Sequence, residues 1–274
     1  MGLLAAVIQL TATSDEEASL DRAEALVRQA AGDGATFIAT PENTNYLGPH
    51  GDKVRRAQSL DGSVCRRFSG LARELRVHLL LGSFNETSGD ASRCYNTSVL
   101  FGPTGARLAA YRKIHLFDVD LSPGTRFAES DTTLAGEEVV VVPAEPATIG
   151  MSICFDLRFS WLYGELRSRG AELITVPSAF TRTTGKDHWH ALLRARAIET
   201  QSFVVAPAQV GQHDDEGLRE SYGHALIVDP WGSVLADAGE TPGVALAEID
   251  LDRVREVRQA LPMRVSRVRK TVDD

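Results

Sequence analysis

Leu3-Leu4-Ala5-Ala6-Val7-Ile8-Gln9-Leu10, then Ser14-Asp15-Glu16-Glu17, then Ala35-Thr36-Phe37-Ile38-Ala39-Thr40 form the stretch on which the fold turns. The two apolar runs are short and continuous, as in strands buried on both faces. Between them Ser14-x-x-Glu17 has the capping-box pattern. Leu20, Ala23, Val27 and Ala30 follow at helical spacing, and Gly32 and Gly34 stop the helix. Strand, helix and strand in this order make a β-α-β unit, which favours neighbouring parallel strands.

The theme continues outward. The apolar pattern predicts a helix over 63–76, with Val64, Phe68, Leu71 and Leu75 on one face, and strands near 77–84 and 96–101. Gly102-Pro103-Thr104-Gly105 is a turn, so 96–101 pairs with 106–112 as a hairpin. Further strands are predicted near 138–142, 147–153, 172–177, 202–209, 222–229, 233–237 and 244–249, with Asp229-Pro230-Trp231-Gly232 as a second hairpin turn. Helices are predicted over 157–169, 187–201 and 251–260. Parallel crossovers mixed with hairpins, many strands and few helices predict an α/β fold of two packed mixed sheets with helices outside, four layers in all. No Pro/Ser-rich linker interrupts the chain, so one domain over 1–274 is expected.

Composition narrows the function class. A chain of 274 residues buries enough surface to need no disulfide or metal staple. Its net charge of −8 argues against a general nucleic-acid or anionic-membrane surface. The three cysteines, Cys65, Cys94 and Cys154, are too few and odd in number for a disulfide framework, which favours a reducing, cytoplasmic setting. No CxxC pair or His ladder suggests zinc, and no metal or organic cofactor is expected. The apolar start lacks a basic leader and is cut short by Gln9, and Ala6 stands where myristoylation after Gly2 requires Ser or Thr. Asn85 and Asn96 open glycosylation-type tripeptides, without meaning in the cytoplasm.

Three residues carry chemistry. Ala147–Ile153 reads as a buried strand and Leu157 onward as a helix, so Cys154 sits at a strand-to-helix turn. Such a turn exposes a side chain above a sheet edge, and the helix start favours a thiolate. The competing reading is a small buried hydrophobe, the only reading for Cys65 and Cys94. Glu42 follows the strand of 36–40 and Pro41, at the carboxyl end where α/β proteins bind ligands. There it suits a general base, against the plain reading of a solvated loop glutamate. Lys113 ends the strand Leu108–Arg112. Its ammonium suits a developing oxyanion, against the plain reading of a surface lysine. His115, His188, His190 and His224 keep a Cys-His peptidase open. Asp156 and Arg158, flanking Cys154, read most simply as a local ion pair.

Ala39-Thr40-Pro41-Glu42, Tyr111-Arg112-Lys113-Ile114-His115-Leu116-Phe117-Asp118 and Gly150-Met151-Ser152-Ile153-Cys154-Phe155-Asp156-Leu157-Arg158-Phe159, in series, resemble the nitrilase superfamily of carbon–nitrogen hydrolases. The similarity runs on through Pro177-Ser178-Ala179-Phe180, His188-Trp189, Arg194–Glu199, Tyr222-Gly223-His224 and Asp229–Gly232, nearly the whole chain. It implies an α-β-β-α sandwich that pairs into a homodimer or higher oligomer. It also implies a triad of Glu42 as base, Lys113 as oxyanion stabiliser and Cys154 as nucleophile, with the Phe155 backbone N–H completing the oxyanion hole. Glu129 matches a second glutamate near the lysine.

Cys154-Phe155-Asp156-Leu157-Arg158-Phe159 looks like the branch containing deaminated glutathione amidase and omega-amidase, where Tyr is usual at position 155. Three departures fall in loops that shape the pocket. Ser160-Trp161 replaces the common Pro-Glu, Thr44–Leu47 is unlike either enzyme, and Ser122 interrupts the loop after Lys113. The resemblance thus implies hydrolysis of a small carboxylate-bearing amide, such as deaminated glutathione or an α-keto acid amide, to acid and ammonia through a cysteine thioester. Arg158 is the expected carboxylate clamp, and Tyr46, Ser178 and Phe180 are further expected substrate contacts. An N-carbamoyl amino acid hydrolase, a nitrilase and a catalytically silent binding protein are the alternatives.

Overall fold

The computed structural model describes residues 3–122, 125–145, 147–214 and 219–263; Met1 and Gly2, and with them the myristoylation question, lie outside. The first half contains β1 (Leu3–Leu10), α1 (Glu16–Gly32), β2 (Phe37–Ala39), one-turn α2 (His50–Lys53) and α3 (Ser63–Leu75). It goes on through β3 (His78–Thr87), β4 (Cys94–Phe101), β5 (Arg107–Arg112), β6 (Asp118–Ser122), β7 (Thr125–Ala128) and β8 (Thr133–Leu134). The second half contains β9 (Val141–Ala144), β10 (Ala147–Met151), α4 (Ser160–Ser168), β11 (Leu173–Thr175), α5 (Arg182–Thr200) and β12 (Phe203–Ala206). It closes with β13 (Ala208–Gln212), β14 (Glu220–Tyr222), β15 (Leu226–Val228), β16 (Val234–Asp237), β17 (Gly243–Ile249) and α6 (Leu251–Ala260).

Two mixed sheets result. The larger has the order β14-β13-β1-β2-β3-β4-β5, with β17 also paired to β1 and β8 to β4. Its centre is parallel, with Ala5 opposite Phe37 and Ala39 opposite Leu80, and its β3-β4-β5 edge is antiparallel. The second sheet, β16-β15-β12-β11-β10-β9, repeats the plan: β10, β11 and β12 are parallel, with antiparallel strands outside. The parallel β1-α1-β2 unit is as the sequence predicts.

Strand alternation makes the layers. On β1, Ala6, Ile8 and Leu10 pack under α1 and α3 with Val27, Val64 and Phe68. Leu3, Ala5 and Val7 point the other way, into one cluster with Ile149, Met151 and Val205 of the second sheet. That cluster continues through the second sheet to Leu162 of α4 and Trp189 and Leu193 of α5. The four layers are therefore helix, sheet, sheet, helix, each sheet buried on both faces.

Several boundaries differ from expectation. The N-cap of α1 is Asp15, whose carboxylate accepts from Ala18 N, not Ser14. The helix expected at 187–201 begins at Arg182. The stretch 202–209 is two strands in two sheets, because Pro207 offers no N–H for the ladder and the chain changes sheets there. The stretch 222–229 likewise divides between β14 and β15. The β6-β7 hairpin was not expected at all, since Asp118, Asp120 and Arg126 break the apolar alternation.

Candidate active site

Glu42 stands just past the carboxyl end of β2, and its position is fixed from below. The Thr40 hydroxyl donates to Leu80 O (3.1 Å) and accepts from Gly82 N (3.0 Å). Gly82 is obligatory here: a Cβ on it would lie 1.9 Å from Thr40 O. Gln209 Nε2 donates to Glu42 O (2.9 Å), tying the loop to β13. The carboxylate is buried. Its Oε1 accepts from Lys113 Nζ (2.9 Å) and Asn96 Nδ2 (2.9 Å), and its Oε2 from Ala179 N (2.8 Å).

Lys113 leaves the end of β5 and is buried with its ammonium between two carboxylates. The second is Glu129, whose Oε2 lies 2.8 Å from Nζ and also accepts from Phe117 N (2.8 Å). These two charges outweigh the cost of burial and hold the Lys113 pKa well above its usual value. Burial opposes ionisation of Glu129, but Lys113 and then Lys53 hold its carboxyl below the usual range. Lys53 is buried at the end of α2 and was not singled out in the sequence. Asn96 was not expected at the site, yet it bridges the carboxylates by donating to Glu42 (2.9 Å) and Glu129 (3.2 Å). Its tripeptide reads as a glycosylation acceptor, but Asn85 and Asn96 are both buried in strands and out of reach of modification.

Cys154 follows β10 in a 3-10 turn spanning Cys154–Arg158, while α4 begins only at Ser160. The elbow is sharp: Cys154 has φ +46°, a left-handed conformation unusual for a residue with a side chain. Its backbone N donates to Pro177 O (3.0 Å), fastening the elbow to the end of β11. The thiol shares the cleft with Glu42 and Lys113 and is 7% exposed. Burial, followed by the Glu42 charge, pushes its pKa well up, while Lys113 and the Ala179 N–H act in the opposite sense without prevailing. The expected help from a helix dipole is weakened, because α4 begins only at Ser160, and burial with the Glu42 charge favours the neutral thiol.

The cleft above these groups has an empty space of ≈ 520 Å³, mouth included. Phe117, Phe155, Phe180, Arg158 and Arg219 form part of its wall. Arg158 lies over the Phe155 and Phe180 rings (5.8 and 5.0 Å) and contacts His188 Nδ1 (3.2 Å). It does not pair with Asp156, which turns inward to Tyr111 and His115, so the local ion pair is absent. Two expected substrate contacts are elsewhere. Tyr46 is fully buried with its hydroxyl donating to Pro49 O (3.0 Å), and the Ser178 hydroxyl is folded back onto Val176 O (3.1 Å). Neither lines the cleft. No histidine lines it among the described residues. His190, His224 and Asp237 cluster outside it instead, with both rings hydrogen-bonded to the one carboxylate.

Residues 4–259 match the sequence profile of the carbon-nitrogen hydrolases. The chain belongs to the carbon-nitrogen hydrolase family. Deaminated glutathione amidase of Synechocystis is 42% identical over 97% of this chain and 98% of its own length. Omega-amidase NIT2 of Homo sapiens is 37% identical over 94% and 92%. The crystal structure of the Caenorhabditis elegans NitFhit protein superposes with a TM-score of 0.89 at 37% identity, covering 95% of this chain. This chain spans 64% of the NitFhit chain. The mixed α/β layering is that of the nitrilase superfamily, and the chain is a hydrolase of carbon–nitrogen bonds that acts on amides. Among the described residues no helix is long and apolar enough to cross a membrane.

Proposed function

We propose that the protein is a cytoplasmic, homo-oligomeric amidase for small carboxylate-bearing amides, with Glu42, Lys113 and Cys154 as its catalytic groups. The observation that carries this reading is one buried carboxylate, Glu42, that accepts the Lys113 ammonium at 2.9 Å and lines the same cleft as the Cys154 thiol. Because the thiol is neutral at rest, attack requires a base. Glu42 takes its proton as sulfur adds to the amide carbonyl. The Lys113 ammonium and the Phe155 N–H hold the developing oxyanion, and losing one such donor typically costs ~10²–10³ in turnover. Glu42 returns the proton to the leaving nitrogen, and the C–N bond breaks to give a thioester. Water, deprotonated by Glu42, then adds to the thioester and releases the acid and the thiol. Glu129 and Asn96 keep the ammonium and carboxylate in register.

The substrate class rests on relatives named for deaminated glutathione and omega-amides and on Arg158. Among the described residues its guanidinium has no carboxylate partner, and it overlooks the sulfur from the cleft wall. A guanidinium in such a position suits a carboxylate. The test is a panel of deaminated glutathione, 2-oxoglutaramate, an N-carbamoyl amino acid and a simple nitrile. It is read as substrate lost and products identified by mass, because deaminated glutathione, a secondary amide, releases an amine and not the ammonia expected from the sequence, and an N-carbamoyl amino acid releases an amino acid, ammonia and carbon dioxide. Turnover of the first two is expected; turnover of only the last two overturns the substrate class.

A further inference from the structure

We propose that Asp156 is a positioning residue that clamps the turn carrying Cys154 to the segment carrying Lys113, so that sulfur and ammonium share one frame. Asp156 is completely buried yet makes no contact with the cleft. Its carboxylate is saturated by four donors. Oδ2 accepts from Ile153 N (2.9 Å) and the Tyr111 hydroxyl (2.7 Å), and Oδ1 from His115 N (3.0 Å) and His115 Nδ1 (2.7 Å).

Two of these donors are backbone groups on different segments. Ile153 directly precedes the cysteine, and His115 lies just beyond the lysine. The Tyr111 hydroxyl, besides donating to Asp156, accepts from Ile114 N (3.4 Å). Burial and the adjacent Asp156 charge keep Tyr111 protonated, so it stays a donor.

The His115 tautomer follows from its neighbours. Trp161 Nε1, which only donates, points at His115 Nε2 (3.2 Å), so that nitrogen is the acceptor and Nδ1 carries the proton offered to Asp156. Ring stacking on Phe159 at 3.6 Å fixes the imidazole plane. A carboxylate is required, because an amide in its place would turn N–H groups toward two of the four donors. A buried carboxylate with every lone pair engaged is stiff, and misplacing a reacting group by about 1 Å costs ~10²-fold. This inference rests on the amidase reading for its substrate, but not for all of its test.

The experiment compares Asp156→Asn and His115→Phe with the native enzyme in three measurements. These are kcat and KM on the best amide, the rate of Cys154 alkylation by 2-chloroacetamide followed by intact mass, and the melting temperature. Asp156→Asn is expected to lose about 10²-fold in kcat, with KM within about threefold, and to alkylate at least tenfold more slowly. His115→Phe keeps the stack on Phe159 and the backbone donor, and is expected to show the same pattern at about tenfold in kcat. It keeps the proposal testable should Asp156→Asn fail to fold. A lowered melting temperature with kcat and alkylation both within threefold of native would overturn the proposal and leave Asp156 a purely structural residue. If native protein cleaves no amide but alkylates rapidly, and the variants alkylate slowly, the amidase reading fails and the positioning role stands.

Discussion

The two sheets meet at the cleft with unlike contributions. The larger sheet and its loops supply every charge in the cluster: Glu42 after β2, Lys113 after β5, Glu129 after β7, with Asn96 on β4 between them. The second sheet supplies the sulfur after β10 and one neutral donor, Ala179 N, after β11. One side therefore holds a buried ion cluster whose members stabilise each other and cannot be removed singly without leaving a naked charge. The other side holds a neutral thiol whose removal leaves no charge unpaired. Reactivity and stability should separate along this line.

The comparison breaks most sharply at the sulfur. Cys154→Ala should abolish turnover, a loss of ~10⁶ by analogy with other nucleophile removals. It should shift the melting temperature by no more than about 2 °C, in a steady-state assay paired with a thermal melt. On the charged side, Lys113→Met should cost ~10²–10³ or more in kcat. It should also cost about 3–5 kcal/mol in denaturant unfolding, because Glu42 and Glu129 are left facing each other. A stable Lys113→Met protein would show that the ion cluster does not hold the fold.

Gly82→Ala tests the floor beneath Glu42. The added methyl collides with Thr40 O, and the chain must move with the carboxylate, so about 10²-fold in kcat and about 1–3 kcal/mol in stability should be lost. Arg158→Ala should raise KM roughly tenfold for a carboxylate-bearing amide and leave an uncharged amide unchanged, a difference of about 1.4 kcal/mol.

The smallest effect is with pH. The Glu129 carboxyl is held below its ordinary value of 4.5 by the adjacent Lys113 ammonium. Its stabilisation is complete above that value and is lost as acid carries the pH down through the depressed one. Lys113 is raised above 10.5, so its share is complete below 10.5 and is lost only as the pH climbs through the raised value. Denaturant midpoints should therefore fall below about pH 4.5 in the native protein but less steeply in Glu129→Gln, which has no carboxyl to protonate.

How much of this was written in the sequence differs between the two sheets. The β1-α1-β2 unit was legible because Leu20, Ala23, Val27 and Ala30 all reach one core at helical period. Glu42, Lys113 and Cys154 were legible because each ends a strand and sits in a recognisable motif. Their partners were not. Asn96 lies mid-strand in a glycosylation-like tripeptide, and Lys53 sits on a single helical turn with no periodicity to mark it. Tyr46 and Ser178 were expected in the cleft because they neighbour motif residues. Proximity in sequence says nothing about which way a side chain turns, and both hydroxyls satisfy nearby carbonyls instead. Pro207 was visible, but only the structure shows that the break there passes the chain from one sheet to the other.

A thiol that stays protonated and almost enclosed until an amide arrives has a consequence away from turnover. Peroxide and other oxidants attack exposed thiolates. Cys154 offers neither feature at rest, and Cys65 and Cys94 are likewise buried with their thiols pushed up in pKa. The idle protein should thus endure an oxidant burst that would cap a pre-ionised cysteine as sulfenic acid, and regain full activity without a repair reductant.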